Sequence, residues 1–145
     1  MTAAQEDPDW AGLRAVLPRA TAASRPFWDG CRRGELLLSH CNVCGHVFYY
    51  PRRHCPSCAA LDPGWKRSTG RGQVFSFTVV AVSFHGSGWE SQLPYTVVLV
   101  DLDDGPRMMS RLIGPGRESV ASGDRVEVVF PEIDGQRLPF FRKSG

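Results

Sequence analysis

Residues 41–59 read CNVCGHVFYYPRRHCPSCA, a C-x2-C-x10-C-x2-C pattern built from Cys41, Cys44, Cys55 and Cys58. Two CxxC knuckles that close on each other bring four soft thiolates to the corners of a tetrahedron, the arrangement that satisfies a structural Zn2+ with no open position. Such a site holds structure and activates no water. Gly45 follows the second cysteine, where the chain must turn sharply with positive φ to aim amides at sulfur. The equivalent position after the fourth cysteine is Ala59, so the second turn is expected to be strained or differently shaped, with Pro56 stiffening it. His46, Arg52, Arg53 and His54 lie between the knuckles and offset the negative charge that four thiolates leave around one ion. Two disulfides are the other use of four such cysteines, but nothing in the chain suggests an oxidising compartment.

The ten residues between knuckles are too few for a hydrophobic core, so this ribbon depends on its metal. The full length of 145 residues suits one domain, or a small domain with a metal-stapled appendage. A formal net charge of +2, although partly clustered at Arg32, Arg33, Arg52 and Arg53, lacks the basic excess of a dedicated nucleic-acid binder. No apolar run approaches the roughly 18 residues that cross a bilayer, and the start of the chain has no charged-then-apolar export pattern. A reducing cytoplasm is the expected location.

Around the ribbon the pattern divides into three parts: an arm over residues 1–35, the ribbon over 36–64 and a β-rich remainder over 65–145. Trp10, Leu13, Val16 and Leu17 have helix-like spacing in the arm, either docking on a surface or fraying. Ser24 reads as the N-cap of a helix from Arg25 to Arg33, with Pro26 in the first turn, Gly34 at the stop, and Phe27, Trp28 and Cys31 on one face. Leu36 to His40 and Val47 to Tyr50 read as ribbon strands. Gln73 to Phe84 is a β-branched and aromatic run long enough to bend and serve two sides of a barrel. Tyr95 to Leu102, Met108 to Ile113, Arg125 to Ile133 and Leu138 to Arg142 follow, separated by Gly and Asp turn signals, with a helical turn near Glu118 to Ala121. Five strands and one helical turn predict a mainly β protein with a Greek-key barrel of the OB type.

Laid out in this way, the chain resembles the family catalogued as domain of unknown function 35, which joins a rubredoxin-like zinc ribbon to a five-stranded OB-fold barrel behind an N-terminal helical arm. The resemblance rests on Pro26-Phe27-Trp28 with Gly34 and Leu36, Cys41-Asn42-Val43-Cys44-Gly45, Pro51-Arg52 and Cys55-Pro56-Ser57-Cys58. It continues through Trp65, Gly70-Arg71-Gly72 with Val74, Pro94-Tyr95, Gly123-Asp124 and Leu138-Pro139-Phe140. It implies a non-catalytic helper of thiolase-superfamily enzymes acting on acyl-CoA: acetyltransferases, acyltransferases or steroid side-chain aldolases. The ribbon and barrel would then pack on a thiolase-like dimer near the coenzyme A thioester. Ala59 and the loop from Phe84 to Leu93 depart from the family pattern and leave the partner's identity open.

The residues themselves offer little chemistry. Ser87 near His85 lacks a nucleophile elbow, and Gly70-Arg71-Gly72 precedes a strand instead of a phosphate-binding helix, so it reads as a linker. Cys31 reads as a small core residue, and Asp101, Asp103, Asp104 and Glu132 as solvated strand-end caps. Arg52, Arg53 and His54 form the cluster best suited to phosphate or partner contact, since guanidinium groups bind phosphates bidentately. Trp89 is expected to anchor an interface unless it folds over the barrel mouth. The competing reading is a single-stranded nucleic-acid module in which Phe75 and Phe77 stack bases.

Overall fold

A computed structural model describes residues 17–84 and 89–145. Trp10, Leu13 and Val16 of the expected arm, and His85 and Ser87, lie outside the described residues. Helix α1 spans Arg25–Arg32, one residue shorter than expected. Ser24 does not cap it: its Oγ accepts the Thr21 N–H at 2.9 Å while Thr21 Oγ1 accepts the Ser24 N–H at 3.2 Å, so the hydroxyl serves a turn before the helix. At the other end Glu35 N–H donates to Gly30 O at 2.8 Å and Gly34 N–H to Cys31 O at 3.0 Å, closing the last turn. Phe27 and Cys31 face inward, as the sequence spacing predicts.

Strands β1 (Leu37–His40), β2 (Val47–Phe48) and β3 (Gly64–Arg67) form one antiparallel sheet in the order β2-β1-β3. Trp65 therefore pairs with Ser39 of the ribbon rather than with a barrel strand. The barrel is closed by five strands: β4 (Arg71–Val80), β5 (Tyr95–Leu102), β6 (Arg107–Leu112), β7 (Arg125–Val129) and, after a small hairpin of β8 (Glu132–Ile133) with β9 (Gln136–Arg137), β10 (Phe140–Lys143). Their order is β10-β6-β5-β4-β7, with β10 antiparallel to β7 and parallel to β6 at Phe141 and Leu112. This is the five-stranded OB-fold expected from the strand count. The single strand read over Arg125 to Ile133 is instead two, because Pro131 has no N–H to continue the ladder. The helical turn is a 3-10 turn at Arg117–Ser119.

The long run from Gln73 is one strand only to Val80, and its bend is a β-bulge between Val74 and Ser76. Val74 opposes Val100, Ser76 opposes Leu99 and Phe77 opposes Val98, so the extra residue reverses the alternation and puts Phe75 and Phe77 on opposite faces.

One core cluster joins α1 and β1 to the barrel, with a smaller one under the cysteines. Phe27 and Cys31 of α1, Leu36, and Leu38 of β1 pack with Val74, Val98, Val100, Met108, Leu112, Val126 and Phe141 of the barrel. Each such side chain, fully buried, contributes on the order of 1.5–3 kcal/mol relative to exposure. Ser68 fastens the junction: its N–H donates to Leu36 O at 2.8 Å and its hydroxyl donates to Asp104.

Gly70-Arg71-Gly72 is more than a linker, since Arg71 and Gly72 belong to β4, where both pair with β7 and Gly72 also pairs with β5. A Cβ on Gly72 would lie 2.4 Å from the backbone oxygen of Asp101. Gly72→Ala is therefore expected to force the barrel strands apart and cost about 1–3 kcal/mol, read as a lower midpoint in urea unfolding.

Candidate functional site

The two knuckles are near copies of each other, built by backbone bonds that the CxxC spacing makes local. Cys41 N–H donates to His46 O and Gly45 N–H to Cys41 O, at 2.9 and 3.0 Å. Cys55 N–H donates to Ala60 O and Ala59 N–H to Cys55 O, both at 2.9 Å. Gly45 has φ +78° and Ala59 φ +63°, so alanine occupies the same left-handed conformation that glycine takes in the first knuckle. Both loops turn amides onto sulfur: Val43 and Cys44 N–H donate to Cys41 Sγ, and Ser57 N–H to Cys55 Sγ, each at 3.4 Å.

The four Sγ atoms of Cys41, Cys44, Cys55 and Cys58 lie within 4.8 Å of one another. Cys41 approaches Cys58, and Cys44 approaches Cys55, at 3.6 Å. Zn–S bonds of about 2.3 Å in a tetrahedron set sulfurs about 3.8 Å apart, so the donor set and its spacing fit this ion. The Cys44 and Val43 amides draw the Cys41 thiol down to about 6. At Cys58 the Ala60 amide lowers the thiol, but desolvation and the sulfurs of Cys41, Cys44 and Cys55 outweigh it and push it up to about 12. Four thiolates this close need a cation among them.

The other expected contact residues are distributed, not gathered. Arg52 lines a cleft of about 590 Å3 between ribbon and barrel, with His46, Tyr50, Asp104 and Arg107. It shares a second cleft with Arg53, Pro26 and Trp65. His54 is exposed and bridges to Leu61. Trp89 lines a different, largely apolar cleft of about 290 Å3 with Trp28, Tyr49, Tyr95 and Met109. Its ring lies 5.2 Å from that of Tyr95, which makes it half-buried packing as well as cleft wall. Sequence reasoning missed Arg111 and Gln92, which meet beneath this cleft through a 3.0 Å bond, burial drawing the guanidinium down to about 10. Arg111 comes there from β6, opposite Val97 of β5, and Gln92 from the 3-10 turn that precedes β5, a meeting that local pattern does not show.

Cys31 is fully buried and burial pushes its thiol up to about 12, as a core residue requires. Of the carboxylates considered for acid and base work, Asp101 and Asp103 are held by cations, while Asp104 accepts from Ser68 and Thr69. Asp101 takes both arms of Arg107, and Asp103 both arms of Arg125. The Arg125 hydrogen bond holds Asp103 below the usual carboxylate range, and the Ala121 amide followed by Lys143 does so for Asp124.

Two family models cover most of the chain: the rubredoxin-like zinc ribbon domain of ChsH2 matches residues 28–63, and the C-terminal OB-fold domain of ChsH2 matches residues 65–131. A DUF35 domain-containing scaffold protein of Methanothermobacter thermautotrophicus is 30% identical over 103 residues, covering 70% of this chain and 76% of that protein. The chain belongs to the DUF35 family. A solved chain described as Ltp2-ChsH2(DUF35) aldolase superposes with a TM-score of 0.77 at 26% identity, covering 88% of this DUF35 chain and 98% of that one. A probable enoyl-CoA hydratase alpha subunit of Thermomonospora curvata is 30% identical over 134 residues. That match takes in 90% of this chain but 41% of the relative, so the chain spans less than half of that protein.

Ala59→Gly is expected to relieve the left-handed strain and raise stability by about 1 kcal/mol, read from thermal unfolding of metal-loaded protein. Cys55→Ser is expected to abolish tight metal binding, read by elemental analysis after dialysis. Its unfolding should match that of the chelated wild-type DUF35 protein.

Proposed function

We propose that this DUF35 protein is a non-catalytic accessory subunit that docks on a thiolase-like enzyme acting on acyl-CoA thioesters. One structural Zn2+ on Cys41, Cys44, Cys55 and Cys58 would supply the ribbon with folding free energy of about 10–16 kcal/mol, the scale of small zinc modules. The observation that carries this reading is the near-complete superposition on the DUF35 chain of an aldolase assembly. Relatives named as scaffold proteins support it too. The division into arm (1–35), ribbon and barrel belongs to the same proposal, with the ribbon's expected end at residue 64 moved to Arg67 because β3 pairs with β1, as does a cytoplasmic location. Among the described residues no helix is long and apolar enough to cross a membrane.

Arg52 and Arg53, exposed at clefts beside the ribbon, would take the phosphates of coenzyme A or an acidic patch of the partner. Trp89 and the apolar cleft beside Tyr95 would contact the partner's non-polar surface. The nucleic-acid reading has less support, because the bulge separates Phe75 from Phe77 and the Arg107 guanidinium already covers the Phe75 ring at 3.4 Å.

Recovery of the complex from native cells, followed by thioester assays of each component alone and together, tests this reading. The partner is expected to lose activity or solubility without the DUF35 chain, and Arg52→Ala with Arg53→Ala to weaken complex formation or CoA-thioester use on the order of tenfold. Thioester turnover by the DUF35 chain alone, or a partner fully active and soluble alone, would overturn it.

A further inference from the structure

We propose that the uncovered edge of β4 joins two copies of this chain into a two-fold dimer, through an antiparallel strand pair centred on Thr78. Strand β7 pairs with β4 only at Arg71, Gly72 and Gln73. Val74 then exchanges hydrogen bonds with Asp124 and Gly123, at 2.9 and 2.7 Å, and the chain of β7 leaves. From Phe75 to Val80, β4 has β5 on one side and no strand on the other among the described residues. Every second N–H and C=O along that stretch points out of the sheet, and a matching row is what another β-strand offers. Neither an aliphatic surface nor a flat aromatic one can satisfy it.

The side chains specify the strand. Phe75 through Val79 are all exposed, Phe77 at 39% and Val79 at 53%, and no charged residue or proline occurs from Gln73 to Phe84. Natural edges that stay unpaired are guarded by lysine, proline or inward charge, and this one is not. An uncharged edge accepts an uncharged strand, which a second copy presents at the correct length. A two-fold axis makes such a contact close on itself.

The bulge selects the register. Centred on Thr78, the pair sets Thr78 against Thr78 of the second copy and Phe77 against Val79 of the second copy, twice. Hydroxyl pairs and aromatic with β-branched pairs are both stabilising across strands. Centred one residue earlier, Val79 would oppose Phe75, which the bulge has turned to the other face. The clefts beside Arg52 and Trp89 do not include this edge, so self-pairing and partner docking are compatible.

Sedimentation of the full chain across a concentration series tests the proposal. Wild type is expected to pass from monomer to dimer. Val79→Lys should weaken that dimer about tenfold or more, because the substitution enters twice, whereas Val43→Lys on the exposed ribbon should leave it unchanged. Mixing Val79→Lys with Phe77→Glu should restore association by pairing Lys with Glu in this register. A wild-type monomer at every concentration overturns the proposal, as does a dimer indifferent to Val79→Lys. Loss of binding to a co-purified enzyme by Val79→Lys, with self-association unchanged, would assign the edge to that enzyme's strand instead.

Discussion

Four cysteine sulfurs within 4.8 Å of one another are the constraint on which the rest depends. Like charges at that spacing repel, so four thiolates, favoured by amides at Cys41 and Cys55 but opposed by neighbouring sulfurs at Cys58, require a cation between them. The cluster beneath is small, with Phe48 and Ala60 beside Cys41 and Cys55, and cannot hold the ribbon by apolar burial alone. Once clamped, the knuckles fix the ends of β1 and β2, and β1 in turn carries Leu38 into the main core.

That handover makes ribbon and barrel mechanically one body at their junction. Phe27 and Leu36 contribute to the same core as Val98 and Val100, with Phe27 set edge-on to Trp28 and Tyr49 at 4.9 and 5.8 Å. Ser68, bonded to Leu36 on one side and Asp104 on the other, ties the β5–β6 turn to the ribbon. The Arg52 cleft lies between these parts, so its two walls keep a set separation. A rigid cleft loses little conformational entropy on binding, which favours a docking role.

The metal set was legible because its geometry is local: a CxxC turn needs only four residues and one left-handed position. The five barrel strands were also legible from alternation and turn residues, with Tyr95 to Leu102 read to the residue. What local pattern could not show is register. The bulge at Phe75 depends on how β4 meets β5, and it reversed the faces of every later residue in the strand. Ser24 failed as a cap because Thr21, three residues earlier, competes for its hydroxyl. Pro131 was a visible stop that the apolar run around it obscured. Arg52, Arg53 and His54 are adjacent in sequence, yet only Arg52 and Arg53 share a cleft, Arg52 also lines another, and His54 bridges to Leu61, since consecutive residues in an irregular loop need not share one face.

The distribution of charge completes the case for a surface-borne role. Asp101 with Arg107, Asp103 with Arg125 and Glu127 with Arg142 are exposed pairs, which stabilise a fold weakly but fix side chains in place. Asp103, which accepts hydrogen bonds from Arg125 and is held below the usual carboxylate range by them, stays ionised near neutrality and is poorly suited to shuttling protons there. Cys31, the one cysteine outside the metal set, is removed from reaction by burial. Among the described residues, guanidiniums beside the ribbon, an apolar cleft at Trp89 and an uncharged strand edge at Thr78 face solvent. Each offers the kind of surface that the proposed accessory role calls for.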